Sequence, residues 1–167
     1  MKNMKKILVL IVLFSGFAAS SFAQATGTAS ASATIITPIS IAKNTDMNFG
    51  NIAVNATPGT VILATAGTRT KTGGVTLPAT AGTVTAAQFT VTGANATTYA
   101  ITLPTSITIS HLTDYMYVDT FTSNPSSTGL IGAGTQVILV GATLNVGASQ
   151  AAGLYGPGNF DVTVNYN

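Results

Sequence analysis

The sequence has no cysteine, tryptophan or glutamate, and only 6% of its 167 residues are charged. Without cysteine, disulfide bonds and thiolate metal ligands are excluded, so the fold has to hold by packing and strand pairing. The single imidazole, His111, has no carboxylate at a spacing that indicates a catalytic triad. We therefore expect a protein that is not an enzyme and has no cofactor.

The four aspartates do not form a recognisable ion-binding or acid–base motif. Asp114 and Asp119 are five residues apart, and on a strand they would point to opposite faces. A calcium ion held by Asp119 and loop carbonyls has no supporting loop signature. No metal site is predicted.

The first residues have the pattern of a secretory signal peptide. Three lysines precede an apolar run from Ile7 to Phe14, and small residues follow as far as Ala23. We assign residues 1–23 to the signal and expect cleavage after Ala23 or Ala25. The run is well short of the roughly 20 residues of a membrane-spanning helix, so no span is expected after cleavage. Export through the Sec pathway would deliver the protein to the periplasm, the cell surface or the medium.

After cleavage the chain keeps three cations and four aspartates, a net charge of −1. The absence of a basic patch makes nucleic acid and anionic membrane surfaces poor partners. Roughly 143 residues remain, which suits one domain with its own core. We divide them into an N-terminal extension, residues 24–35, and a domain, residues 36–167.

Thr and Val are abundant, and beyond the signal no stretch has helical periodicity, so the prediction is an all-β fold. Residues 87–92 and 97–103 are predicted to form a hairpin, and residues 136–146 a central strand covered on both faces. Strands of this spacing without intervening helices indicate an antiparallel sandwich of immunoglobulin-like type.

Two predicted strands have no obvious partner within the chain. Near the C-terminus, apolar and polar residues alternate without interruption, and the apolar set is Phe160, Val162, Val164 and Tyr166. Near the N-terminus the residues that share one face are Gly27, Ala29, Ala31, Ala33 and Ile35, followed by Ile39 and Ile41. So few charges on sheet edges indicate strands that are either capped by their own chain or pair with another chain.

Three aromatic side chains follow at alternate or nearby positions: Tyr115, Tyr117 and Phe121. Aromatic rings stack on the apolar faces of sugars, so Tyr115 and Tyr117 are a possible ligand face. The same spacing suits core packing, and we expect at least two of the three to be in the core.

Several short motifs resemble those of a known family. The small-residue leader, the Met47-Asn48-Phe49-Gly50 run and the closing Gly-x-Phe-x-Val-x-Val-x-Tyr strand resemble subunits of archaic chaperone-usher fimbriae and spore-coat-U-type proteins. More closely, the mature chain resembles the DUF4402 domain family of secreted bacterial proteins.

The resemblance implies an incomplete sandwich that is completed by strand exchange. A periplasmic chaperone would first pair with the C-terminal strand, and the extension of the next subunit, delivered at an outer-membrane usher, would then replace it. Phe160, Val162, Val164 and Tyr166 match the chaperone-binding strand, and the donor role falls to residues 26–35. Each alanine inserted would contribute about 1 kcal/mol or less, so affinity would depend on backbone pairing and Ile35.

We therefore expect a secreted structural subunit that assembles with its own copies or with related subunits by strand pairing. The alternative is a self-contained secreted module that binds a glycan or acts as an adhesin.

Overall fold

The structure is a computed structural model that describes residues 23–167. The chain divides into two units, residues 1–34 and residues 35–167. In the first unit, residues 23–34 form no strand and are all exposed. The predicted signal peptide, apart from Ala23, lies outside the described residues.

Ten β-strands form the second unit, and residues 23–167 contain no helix that could cross a membrane. The strands are β1 (Ser40–Thr45), β2 (Ala53–Leu63), β3 (Arg69–Thr76), β4 (Ala87–Thr92), β5 (Thr97–Thr102), β6 (Ser106–His111), β7 (Asp114–Asn124), β8 (Thr128–Ile131), β9 (Thr135–Val146) and β10 (Thr163–Tyr166). The all-β prediction is confirmed.

The strands form two antiparallel sheets, as in a sandwich. A small sheet has the order β10-β5-β8. In the large sheet the long strand β9 is central, with β4 and β2 in succession along one edge and β7 along the other. β1 pairs with β4, β3 with β2, and β6 with β7.

The hydrophobic core has two parts. The first part lies between the small sheet and the β4 end of the large sheet, and its buried side chains include Phe89, Val91, Tyr99, Ile101, Ile131, Ile138, Val162 and Val164. The second part lies on the β2, β7 and β9 region of the large sheet, and residues from connecting segments, such as Phe49 and Tyr155, contribute to it. Over this region the connecting segments, and not a second sheet, cover the apolar face of the large sheet.

β9 only partly matches the prediction for residues 136–146. Ile138, Val140, Ala142, Leu144 and Val146 are buried on one face, as expected. On the other face Val137 is 45% exposed, so the strand is not covered on both sides throughout.

The predicted hairpin of residues 87–103 is wrong. Its two strands exist as β4 and β5, but β4 pairs with β1 and β9 whereas β5 pairs with β10 and β8. The turn between them crosses from one sheet to the other. The physical reason is that the first core lies between the two sheets, and β4 and β5 cover it from different sheets with Phe89 and Tyr99.

Both predicted terminal strands differ from the structure. The C-terminal strand was expected to lack a partner in the chain, but β10 pairs with β5 from Thr163↔Thr102 to Tyr166↔Tyr99. The N-terminal strand was expected from residue 29 onward, but β1 begins at Ser40. No described strand pairs with residues 29–39, so the alternation there has no ladder to join.

The first core depends on a close fit between Tyr99 and Gly129, which are paired across β5 and β8. Tyr99 is fully buried, and its hydroxyl donates to Gln136 Oε1 over 2.9 Å. Burial raises the pKa of Tyr99, which keeps this phenol protonated as a donor. A Cβ atom at Gly129 would overlap the Tyr99 ring.

We predict that Gly129→Ala lowers the free energy of unfolding by about 1–3 kcal/mol, because the buried ring has to move. Gly132→Ala is the matched control, since a Cβ atom there would meet no atom within 4 Å. Urea unfolding of both variants checks this prediction, and an equal effect at the two positions would contradict it.

Candidate functional site

The side chains predicted to form the C-terminal pairing strand face the first core. Val162 and Val164 are buried, at 8% exposure each, and Phe160 and Tyr166 pack against the same core. The polar residues between them are exposed. The alternation read from the sequence is therefore the alternation in space, whereas a role in chaperone binding stays a prediction.

Among residues 23–167, β10 pairs with another strand along only one of its two edges. Asn167 N donates to Thr98 O, and Ile101 N donates away from β10 to Ser127 O. Because hydrogen-bonded positions alternate along an antiparallel pair, the backbone groups of Val164 and Tyr166 point away from β5. No described strand pairs with that edge.

β1 has an equivalent edge on the large sheet. It pairs with β4 on one side, and no described strand lies on the other. Ile41 on β1 and Ile39, directly before the strand, pack against the first core. We call the region between these two unpaired edges the β1–β10 seam.

Tyr166 joins the two sides of the seam at one end. Its hydroxyl donates to Thr37 O over 2.7 Å and accepts from Ala94 N over 2.7 Å. The phenol therefore ties β10 to the chain that enters β1 and to the turn between the sheets. At one end of the seam Thr37, which precedes β1, lies beside Tyr166 at the end of β10. At the other end Asp46, which follows β1, and Asp161, which precedes β10, line the same cleft. β1 therefore runs antiparallel to β10.

A cleft of about 1440 Å³ lies at that other end of the seam. Its apolar wall comes from the large sheet and includes Ile107, Ile109, Met116, Val118 and Leu144. Residues 46–54 and 150–161 form its rims. The lining of this open cleft is both polar and apolar, and a space of this size has room for several further side chains.

Hydrogen bonds hold the rim of residues 150–161 against the large sheet. Gly156 N donates to Ser110 O over 2.9 Å, and His111 Nδ1 donates to Leu154 O over 3.2 Å. The His111 and Tyr155 rings lie 5.4 Å apart. The only imidazole is thus a strand-end side chain that contacts a loop.

The predicted donor residues are exposed. Gly27, Ala29, Ala31 and Ala33 belong to the first unit, and Ile35, at the start of the second, is 97% exposed. Their donor role stays a prediction.

The expectation that two of the three aromatic residues on β7 lie in the core is wrong. Only Phe121 packs against the core, with its ring 5.1 Å from that of Phe160. Tyr115 and Tyr117 are 56% and 49% exposed. Both lie on the outer face of the large sheet because their odd-numbered positions alternate with the buried Met116 and Val118.

The described residues hold no group of three or more His, Cys, Asp or Glu side chains placed to bind a metal ion. The ion pair of Lys43 and Asp46, 2.7 Å between Nζ and Oδ1, is exposed on both sides. Screening by water makes such a pair a minor contribution to stability.

Comparison with known proteins identifies one family. The family described as Domain of unknown function (DUF4402) matches residues 39–166, which covers every strand of the fold. Searches of curated proteins and of solved structures gave no match.

We predict that Tyr166→Phe lowers the free energy of unfolding by about 1–2 kcal/mol, because Ala94 N and Thr37 O lose their shared partner. Tyr117→Phe removes the hydroxyl of an exposed tyrosine and should change stability by less than about 0.5 kcal/mol. Urea unfolding measures both. If Tyr166→Phe is as stable as the control, the hydroxyl does not hold the seam together.

Proposed function

This chain belongs to the DUF4402 family, and we propose that it is a secreted, non-enzymatic structural subunit that assembles by β-strand addition. In this proposal the two sheets are an incomplete immunoglobulin-like sandwich. The observation that carries it is the β1–β10 seam, where two unpaired strand edges border an apolar core.

Unpaired edges are prone to association because their backbone N–H and C=O groups can form hydrogen bonds with any extended chain. Monomeric sheet proteins usually protect such edges with charges, proline or a covering segment. Within β10 there is no charged residue, and β1 has one, Lys43. The seam is therefore suited to receive a strand, which would gain a ladder of backbone hydrogen bonds and bury alternate side chains.

The extension of a second copy has the properties of that strand. Residues 26–35 place small or apolar side chains on one face and hydroxyl-bearing side chains on the other. Ten extended residues span about 33 Å, which exceeds the length of β10 and reaches into the cleft. Because glycine and alanine side chains are small, this face of the extension needs little room beside the two edges.

The positions of the chain entry and the cleft favour one direction of insertion. Within each copy Thr37 is held at the Tyr166 end, so the extension departs from that end of the domain. The cleft opens at the opposite end, where a neighbouring copy can approach. An extension that enters there runs antiparallel to β10, with Ile35 at the cleft and Gly27 near Tyr166.

Ile35 is the principal side chain of the donor in this arrangement. Burying an isoleucine contributes about 1.5–3 kcal/mol, whereas each alanine contributes about 1 kcal/mol or less. The apolar wall of the cleft, which includes Ile109 and Met116, offers a surface of matching chemistry. Backbone pairing along the seam would supply the rest of the affinity.

Before assembly, the same seam would require protection in the periplasm. A chaperone that lends a strand, and an outer-membrane usher that exchanges it for the extension of the next subunit, fit this requirement. Genes for both beside the gene for this chain would support the proposal.

We predict that the mature chain forms concentration-dependent oligomers, whereas a variant without residues 24–33 is a folded monomer. Deletion removes residues 26–33 of the donor, and with them most of its backbone pairing, but leaves Ile35, both sheets and their cores in place. Light scattering after size exclusion gives the mass, and circular dichroism reports the fold. Folded monomers from both proteins at all concentrations would contradict strand addition between copies of this chain.

We predict that Ile35→Asp weakens oligomer formation roughly 10- to 100-fold, because the buried anchor is lost and a charge takes its place. Ile36→Asp is the matched control, since the neighbouring side chain of an extended strand points to the opposite face. A peptide of residues 26–36 added to the deletion variant should raise its melting temperature. Equal effects of the two aspartates would argue against Ile35 as the anchor.

A further inference from the structure

An aromatic pair lies exposed on the outer face of the large sheet, away from both cores. The rings of Tyr115 and Tyr117 are 5.4 Å apart and inclined at 71° to each other. Tyr115 is 56% exposed to solvent and Tyr117 is 49% exposed. Neither hydroxyl has a hydrogen-bond partner among residues 23–167, so both can donate or accept.

The pair borders a shallow depression of about 500 Å³. Pro58, Gly59 and Gly147 line it, and the two glycines contribute no side chain. Because these two positions have no side chain, the surface there lies below the level of the two rings. A depression of this size and shape accommodates a pyranose ring or two, with one sugar face against an aromatic ring.

Polar side chains continue from the rings across the sheet. Tyr117 on β7 pairs with Asn145 on β9, and Asn145 pairs with Thr60 on β2, so the three form one cross-strand row. Asn145 Nδ2 donates to Asp119 Oδ2 over 2.9 Å, which leaves the amide oxygen as an acceptor. Thr60 Oγ1 lies 2.7 Å from Thr72 Oγ1.

From this arrangement we infer that the depression beside Tyr115 and Tyr117 binds a neutral saccharide. Apolar ring faces beside a row of hydroxyl and amide groups match a sugar, which has apolar C–H faces and a hydroxyl rim. Asp119, which accepts a hydrogen bond from Asn145 of this row, carries a negative charge that would repel sialic acid, uronic acid or sulfate groups. Because the site faces away from the β1–β10 seam, this inference does not depend on strand addition.

The test is an array of neutral hexose and N-acetylhexosamine oligosaccharides together with sialylated and sulfated ones, probed with the mature chain. We expect binding to neutral members only, and a change in tyrosine fluorescence when a bound oligosaccharide is titrated in solution. Tyr115→Ala and Tyr117→Ala should each weaken binding roughly 5- to 50-fold, and Tyr117→Phe should keep most of it.

Leu130→Ala is the matched control, since Leu130 is an apolar side chain of similar exposure, 54%, on the small sheet. It should bind as the unaltered chain does, and all variants should unfold at the same urea concentration. No binding to any neutral oligosaccharide, preference for the anionic ones, or binding that survives both alanine substitutions would overturn the inference. Loss of self-association instead of sugar binding would show that the aromatic pair is a protein contact.

Discussion

Backbone hydrogen bonding at strand edges is the constraint on which this structure depends. A sheet satisfies its N–H and C=O groups only where a neighbouring strand, a side chain or water is present. In the large sheet β9 meets this requirement because it pairs with three strands, β2, β4 and β7. At the β1–β10 seam the requirement is unmet by any strand in the described chain, and the proposed assembly follows from that deficit.

The chain holds this arrangement without disulfides and with few charges. Its stability comes from two packed core regions and from side-chain hydrogen bonds at places where the sheets meet. Tyr166 is the main example, because one phenol joins β10, the entry to β1 and the turn between the sheets. Tyr99 has a related role on the other side of the first core, where it packs on Gly129 and bonds to Gln136.

Separate surfaces serve the two proposed activities. The seam and its cleft involve the inner faces and edges of the sheets, whereas Tyr115 and Tyr117 occupy the outer face. Strand alternation makes this possible, since Met116 and Val118 contribute to the second core while their neighbours on β7 face solvent. In the proposed assembly, the subunit would join its neighbours and still present the proposed saccharide surface.

Alternation and composition in the sequence determined the all-β class, the inward face of Phe160, Val162 and Val164, and the strands near residues 87–92, 97–103 and 136–146, because side-chain direction along a strand has a period of two. Sequence reasoning missed β8, since four residues within a Ser/Gly-rich stretch have too little pattern to detect. Only the tertiary structure decided which strands pair: β4 and β5 belong to different sheets, β10 joins β5, and Tyr117 faces solvent. Pairing depends on contacts between residues far apart in the chain, and a local pattern shows which face of a strand is apolar without showing what lies against it.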